Sequence, residues 1–231
     1  MHIIPVIDLK SGVVVRARMG ERDRYQPIST PLAAGSDPLS IAAGLLKLHP
    51  FDTLYVADLD AISGGGNNVS VLFHLTDRFP AIELWVDNGI ADLAAARAFL
   101  DSGIGRLVLG SESQSDLELV RQLGQDPRLA LSLDFRSQVF QGPPALLDRP
   151  ETWPDRVIAM TLARVGSAAG PDLERLAMLR AMTGGRRLYA AGGVRGAADL
   201  ARLRTSGIAG ALVATCLHDG TLTAAEIAAL A

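Results

Sequence analysis

Two aspartates in this chain end runs of apolar residues in a way that suits proton transfer: Asp8 closes IIPVI and Asp134 closes LALSL. Asp58 closes TLYVA and Thr161 closes VIAM in the same manner. A carboxyl at the end of a buried strand loses solvent, which favours its neutral form and moves its pKa towards neutrality, where acid and base catalysis are efficient. Two such groups on opposite walls of one cavity, in different surroundings, can divide into an acid and a base. For any single one of them the alternative role is a cap on the loop that follows.

Small residues end four further runs, as Asn88-Gly89, Gly110-Ser111, Gly192-Gly193 and Ala214-Thr215. Where glycine stands between a strand and a helix, an anion can approach backbone N–H groups and the positive end of the helix. Glycine there also answers steric needs, so each pair alone says little; their recurrence carries the signal. The loop over residues 16–36 holds Arg16, Arg18, Arg22, Arg24 and Tyr25, with Lys10 just before it. It could fold over a site and hold anionic groups, or form a solvated hairpin. No metal site is expected, because His2, His49, His74 and His218 have no Cys partner or HxH spacing. Of the four, His218 falls nearest a strand end and reads as a loop residue. Cys216 reads as a packed side chain.

Positioning these groups requires strands and helices that alternate. Short Val/Ile/Leu-rich runs, of the kind buried on both faces of a parallel sheet, take turns with Ala/Leu/Arg segments of helical period. The pattern predicts strands over 3–8, 53–58, 82–87, 105–110, 128–134, 156–161, 186–191 and 208–214. It predicts helices over 38–48, 69–79, 91–102, 115–123, 172–182, 196–205 and 222–230, with Asp37-Pro38 and Pro171-Asp172 opening two of them. Residues 136–155 carry Pro143, Pro144, Pro150 and Pro154 and allow only a short fifth helix.

A repeat gives these elements their arrangement. Residues 84–111 lie over 188–215 without a gap at an offset of 104, with six identities that include the SGI at 102–104 and 206–208. VIDLKSG likewise resembles SLDFRSQ, which sets Asp8 against Asp134. A duplicated (βα)4 unit closes most simply into one (β/α)8 TIM barrel of two similar half-barrels over residues 1–231, with chemistry at the C-terminal strand ends. The alternative is a doubly wound open sheet.

Composition excludes other classes. The 25 acidic and 22 basic residues are well mixed, without the basic block of a nucleic-acid binder. No apolar run approaches a membrane span, the N-terminus does not read as a secretion signal, and one cysteine makes no internal disulfide. The expectation is a cytoplasmic monomer or small homo-oligomer.

The motifs IPVIDLKSGVVVRARMG, VADLDAISG, SLDFR and AAGGV resemble those of the phosphoribosylformimino-aminoimidazole-carboxamide ribotide isomerases of histidine biosynthesis and their cyclase relatives. The first strand reads PVIDLK, closer to the isomerase. The resemblance implies an Amadori rearrangement, without a cofactor, of a phosphorylated aminoaldose to an aminoketose. It implies Asp8 as base at the sugar C2, Asp134 as the acid that opens the ring, and Thr161 as a hydrogen-bonding helper. It further implies phosphates cradled at Asn88, Gly89, Gly110 and Ser111 and at Gly192, Gly193, Ala214 and Thr215; Asp58 joins the substrate-binding set by its place at the end of the second strand. The chain departs from the family pattern in Asp87-Asn88-Gly89 after the third strand, Arg164-Val165-Gly166-Ser167 after the sixth, and Ala214-Thr215 after the eighth. It also lacks the tryptophan that stacks on the heterocycle, offering Phe135, Phe140 and Pro143-Pro144 in that loop. These departures keep open a relative acting on another phosphorylated or pterin-like metabolite in a different pathway, and a non-catalytic binding barrel.

Overall fold

In the computed structural model, which describes residues 1–230, eight parallel strands form a closed ring: β1 (His2–Lys10), β2 (Thr53–Asp58), β3 (Glu83–Asp87), β4 (Gly105–Gly110), β5 (Leu129–Arg136), β6 (Arg156–Thr161), β7 (Arg187–Ala191) and β8 (Gly210–Val213). Closure comes from β8 pairing with β1, from His2↔Gly210 to Pro5↔Val213. Helices follow the strands: α1 (Pro38–Leu48), α2 (Val69–Arg78), α3 (Leu93–Asp101), α4 (Glu118–Leu123), α5 (Ala145–Asp148), α6 (Leu173–Met182), α7 (Ala197–Thr205) and α8 (Ala224–Leu230). The open-sheet alternative is thereby set aside.

Local chemistry explains the helix starts. Asp37 caps α1 by accepting from the Ser40 N–H at 2.8 Å, with Pro38 in the first turn where its missing N–H costs nothing. Asp92 caps α3 in the same way, and Ala96, Phe99 and Leu100 give that helix one buried stripe. The fifth helix is a single turn, bounded by Pro143-Pro144 and Pro150. Its outer wall is completed by the buried Trp153, whose indole N–H donates to the Leu146 carbonyl at 2.6 Å.

Two cores result. The larger lies between strands and helices. The smaller fills the barrel with the inward residues Ile4, Tyr55, Trp85, Ile158, Tyr189 and Leu212 and their neighbours, and Trp85 and Tyr189 meet edge to face at 5.0 Å. This inward set fixes a parity for each strand, since successive side chains alternate between the barrel interior and the helix layer.

The repeat is visible in three dimensions. β3 and β7 share bounds at the offset of 104, as do α3 and α7, and Gly89 and Gly193 both have positive φ, +70° and +86°. The segment after β1 differs from its counterpart after β5. Each folds back antiparallel on its strand, Val13–Arg16 on β1 and Val139–Phe140 on β5, but after β1 a further strand, Gln26–Pro27, pairs on Val13–Arg16. The stretch between them crosses the mouth. Lys10 Nζ donates to the Arg22 carbonyl at 2.8 Å, Arg22 forms an ion pair with Glu112 after β4, and the Met19 N–H donates to Val165 after β6 at 2.8 Å. Hairpin and cover, alternatives in the sequence, are both realised.

Candidate active site

The C-terminal mouth of the barrel opens into a cavity of about 330 Å³, lined from opposite walls by Asp8 and Asp134. Their surroundings differ. Asp134 is 3% exposed and closely held: the Ser132 hydroxyl donates to Oδ1 at 2.6 Å and the Glu112 N–H to Oδ2 at 3.2 Å. Ser111 Oγ stands 3.1 Å from Oδ2 and also accepts from the Asp134 N–H at 2.8 Å. Asp8 is half-buried, and among the described residues none hydrogen-bonds its carboxylate. Burial pushes the Asp8 carboxyl up to about 7 against the opposing pull of the Arg22 guanidinium. Burial, then the charge of Asp87, pushes Asp134 up to about 7 against the Ser132 hydrogen bond.

A third carboxylate belongs to the site. Asp87, two residues after the inward Trp85, lines the cavity beside Tyr55, whose hydroxyl donates to Asp87 Oδ2 at 3.3 Å. Burial raises Asp87 to about 6, opposed by the Gly89 N–H that donates to Oδ1 at 3.3 Å. Glu112, Arg22, Tyr25 and Arg136 also line the cavity. Asp87 could be found by strand parity, whereas Glu112 left no sequence signal, because it lies beyond the strand in a 3-10 turn.

Two expected site residues stand elsewhere. Thr161 closes β6 with the wrong parity: Met160 points into the barrel, and Thr161 is buried outside the cavity lining. Asp58 follows the inward Ala57 and faces away from the barrel interior. It accepts from the Ala61 N–H at 3.2 Å and from the backbone and side-chain N–H of Asn68, both at 2.7 Å, so it caps its loop.

The two expected phosphate cradles fare differently. Gly192, Gly193, Ala214 and Thr215 all line the cavity. Asn88, Gly89, Gly110 and Ser111 do not. The Gly89 amide is occupied by Asp87, Gly110 is wedged between Asp87 and Asp134, and the Ser111 side chain turns to Asp134. The backbone of that half keeps the duplicated form, while the Gly89 amide is engaged by Asp87 and the Ser111 hydroxyl by Asp134. The aromatic candidates of the β5 loop also lie outside the cavity: Phe135 packs on Phe140 at 5.2 Å, and the Arg175 guanidinium lies over the Phe135 ring at 4.1 Å.

His218 is buried within a short helix, Thr215–His218, where the sequence suggested a loop. Burial lowers its pKa to about 4, leaving it neutral at pH 7. Cys216 is buried as expected, its thiol pushed up to about 12 by burial. Among the described residues, no group of three or more His, Cys, Asp and Glu side chains is arranged to hold a metal ion.

The raised carboxyls set a pH dependence of stability. Asp8, Asp134 and Asp87 titrate near 7, 7 and 6 folded against about 3.8 unfolded, so the folded state binds their protons more tightly and is destabilised as pH rises through this window. His218 runs the other way, one group against three. Thermal melts should therefore show a higher Tm at pH 5 than at pH 8, with Asp134→Asn flattening the difference. A Tm that climbs steadily from pH 5 to 8 would contradict this assignment of the carboxyls.

Comparison with known proteins follows the same lines. The family model described as histidine biosynthesis protein matches residues 2–223. An isomerase of Deinococcus radiodurans, named for an imidazole-4-carboxamide bearing two phosphoribosyl groups, is 30% identical over 96% of this chain and 95% of its own length. The isomerase of that name from Rubrobacter xylanophilus is 31% identical over 99% and 96%. An uncharacterized protein of Methanocaldococcus jannaschii is 30% identical over 98% and 97%. No helix among the described residues is long and apolar enough to cross a membrane.

Proposed function

Because the chain belongs to the histidine biosynthesis protein family, we propose that it is a cofactor-independent aldose–ketose isomerase acting on a phosphoribosylamino imidazole carboxamide in the cytoplasm. The observation that carries this reading is the pair of carboxyls, Asp8 and Asp134, converging from opposite walls on one cavity. In an Amadori rearrangement the ring oxygen of the aminoaldose must gain a proton as its bond to C1 breaks. The C2 proton must then leave, giving an enaminol, which becomes the aminoketose by losing its C2 hydroxyl proton and gaining one at C1.

Asp134, buried and already inclined to hold a proton, suits the first task. Asp8, without a competing hydrogen bond and beside Arg22, suits the second. One phosphate is assigned to Gly192, Gly193, Ala214 and Thr215. The other phosphate is assigned to Arg22 and Arg136, two of the arginines that line the cavity. The family match and the named relatives favour this reading over a different pathway or a purely binding barrel.

The direct test is conversion of the relatives' bis-phosphoribosyl substrate by the purified protein, together with rescue of a histidine auxotroph lacking that isomerase. Failure of both ends the assignment. Arg22 provides a finer check. Its charge favours ionised Asp8, so Arg22→Met should move the acidic limb of the kcat/KM profile to higher pH by about half a unit to one unit. An unshifted limb would remove Asp8 as the base or Arg22 as its partner.

A further inference from the structure

Asp87 has no place in the mechanism above, yet it lies in the middle of the site. An ideal Cβ on Gly110 would stand 3.1 Å from Asp87 Oδ2 and 3.5 Å from Asp134 Oδ2, so the two carboxyls flank one glycine with no side chain between them. Neither is neutralised by a direct ion pair, since the Arg22 guanidinium is engaged by Glu112. We propose that Asp87 is a positioning residue for the catalytic proton: its negative charge, set beside Asp134 across Gly110, keeps a proton on Asp134 and so maintains it as the general acid. The inference rests on the isomerase reading for the use made of that proton, but not for its location.

The hydroxyl of Ser111 shows independently where the proton can sit. Its oxygen accepts from the Asp134 N–H at 2.8 Å, and its one proton is best directed to the Gln141 carbonyl, at 2.7 Å. The remaining 3.1 Å contact with Asp134 Oδ2 is then a hydrogen bond only if Asp134 is the donor. The geometry thus offers a protonated Asp134 an acceptor that an ionised one could not use.

Beside Asp87 stand Tyr55 from β2, Asp134 from β5, Glu112 after β4 and Arg22 from the segment after β1; Asp8 faces them from β1 and Arg136 from the end of β5. The Tyr55 hydroxyl and the Gly89 N–H both donate to Asp87, favouring its ionised form. Asp134, against the same wall, is pushed up by burial and then by Asp87. Two like charges flanking one glycine, poorly solvated, do not ionise together, and Asp87, on which the Arg22 charge acts, ionises before Asp134, to which the Ser111 oxygen offers an acceptor for its proton.

The test is titration of the Asp134 carboxyl by 13C NMR in the ligand-free protein, for the parent chain, Asp87→Asn and Tyr55→Phe. Asp87→Asn should move the Asp134 titration down by about one unit or more. Tyr55→Phe, which weakens the hold on ionised Asp87, should move it in the same direction by less. In kcat/KM profiles the basic limb should shift with it while the acidic limb, set by Asp8, stays. An Asp134 titration unchanged in Asp87→Asn within about 0.2 units overturns the proposal, as does a loss of kcat at every pH without such a shift, which would place Asp87 on the substrate. If Asp87→Asn does not fold, an unshifted Tyr55→Phe titration overturns it alone. Because the titration needs no substrate, a failed isomerase assay leaves it standing, and a failed titration leaves the isomerase assignment standing.

Discussion

Asp8→Asn should lower kcat of the isomerase by about a thousandfold, within the range for removing a positioned general base. The amide has the shape of the carboxylate and no basic lone pair for the C2 proton. Nothing else among the described residues is placed to replace it, since Asp134 and Asp87 occupy other walls and Glu112 is paired with Arg22. The protein should fold, because Asp8 makes no hydrogen bond that asparagine would forfeit. Its Tm at pH 8 should equal or exceed the parent's, since a poorly solvated charge has been removed. Steady-state kinetics with a melting curve at the same pH decides the matter. Activity within about tenfold of the parent, in a folded protein, would show that the base lies elsewhere.

Gly193→Val should destroy the grip on the phosphate, raising KM or the Kd of a phosphorylated product by about a hundredfold or more, some 3 kcal/mol at the usual conversion. Gly193 has φ of +86°, where a β-branched residue is strained, and a Cβ there would meet the Gly170 carbonyl at 2.3 Å. The loops after β6 and β7 would have to separate, and both line the cavity. The internal repeat supplies a control. Gly89 has φ of +70° and a Cβ would lie 2.8 Å from Ile62 Cα, but Gly89 does not line the cavity. Gly89→Val should cost comparable stability by melting while leaving phosphate affinity within about threefold, less than 1 kcal/mol. Equal loss of affinity in both variants would refer the effect to general destabilisation and remove the β7–β8 cradle from the site.

The architecture was legible because its signal is periodic and doubled. Eight apolar runs spaced by helical segments, with an offset of 104 that carries β3 onto β7 and α3 onto α7, leave little choice of closure. Asp8 and Asp134 were legible by the same doubling. Thr161 and Asp58 were misplaced because closing a strand is not the same as facing its interior. One residue of register turns a side chain from cavity to helix layer, and the neighbouring Met160 and Ala57 hold the inward positions. Counting in twos from Trp85 identifies Asp87 as inward. The spent Gly89 amide and the Arg22–Glu112 pair depend on loop conformations that no periodicity encodes.

The segment that crosses the mouth is tied to the loop after β4 by Arg22 and Glu112, and to the loop after β6 by the Met19 N–H. These ties hold the segment over part of the mouth, and one of them is electrostatic and open to screening by dissolved ions. Ionic strength then acts on residence time as well as on capture: added salt weakens the attraction that draws an anion in, and at the same time loosens the bar across its way out.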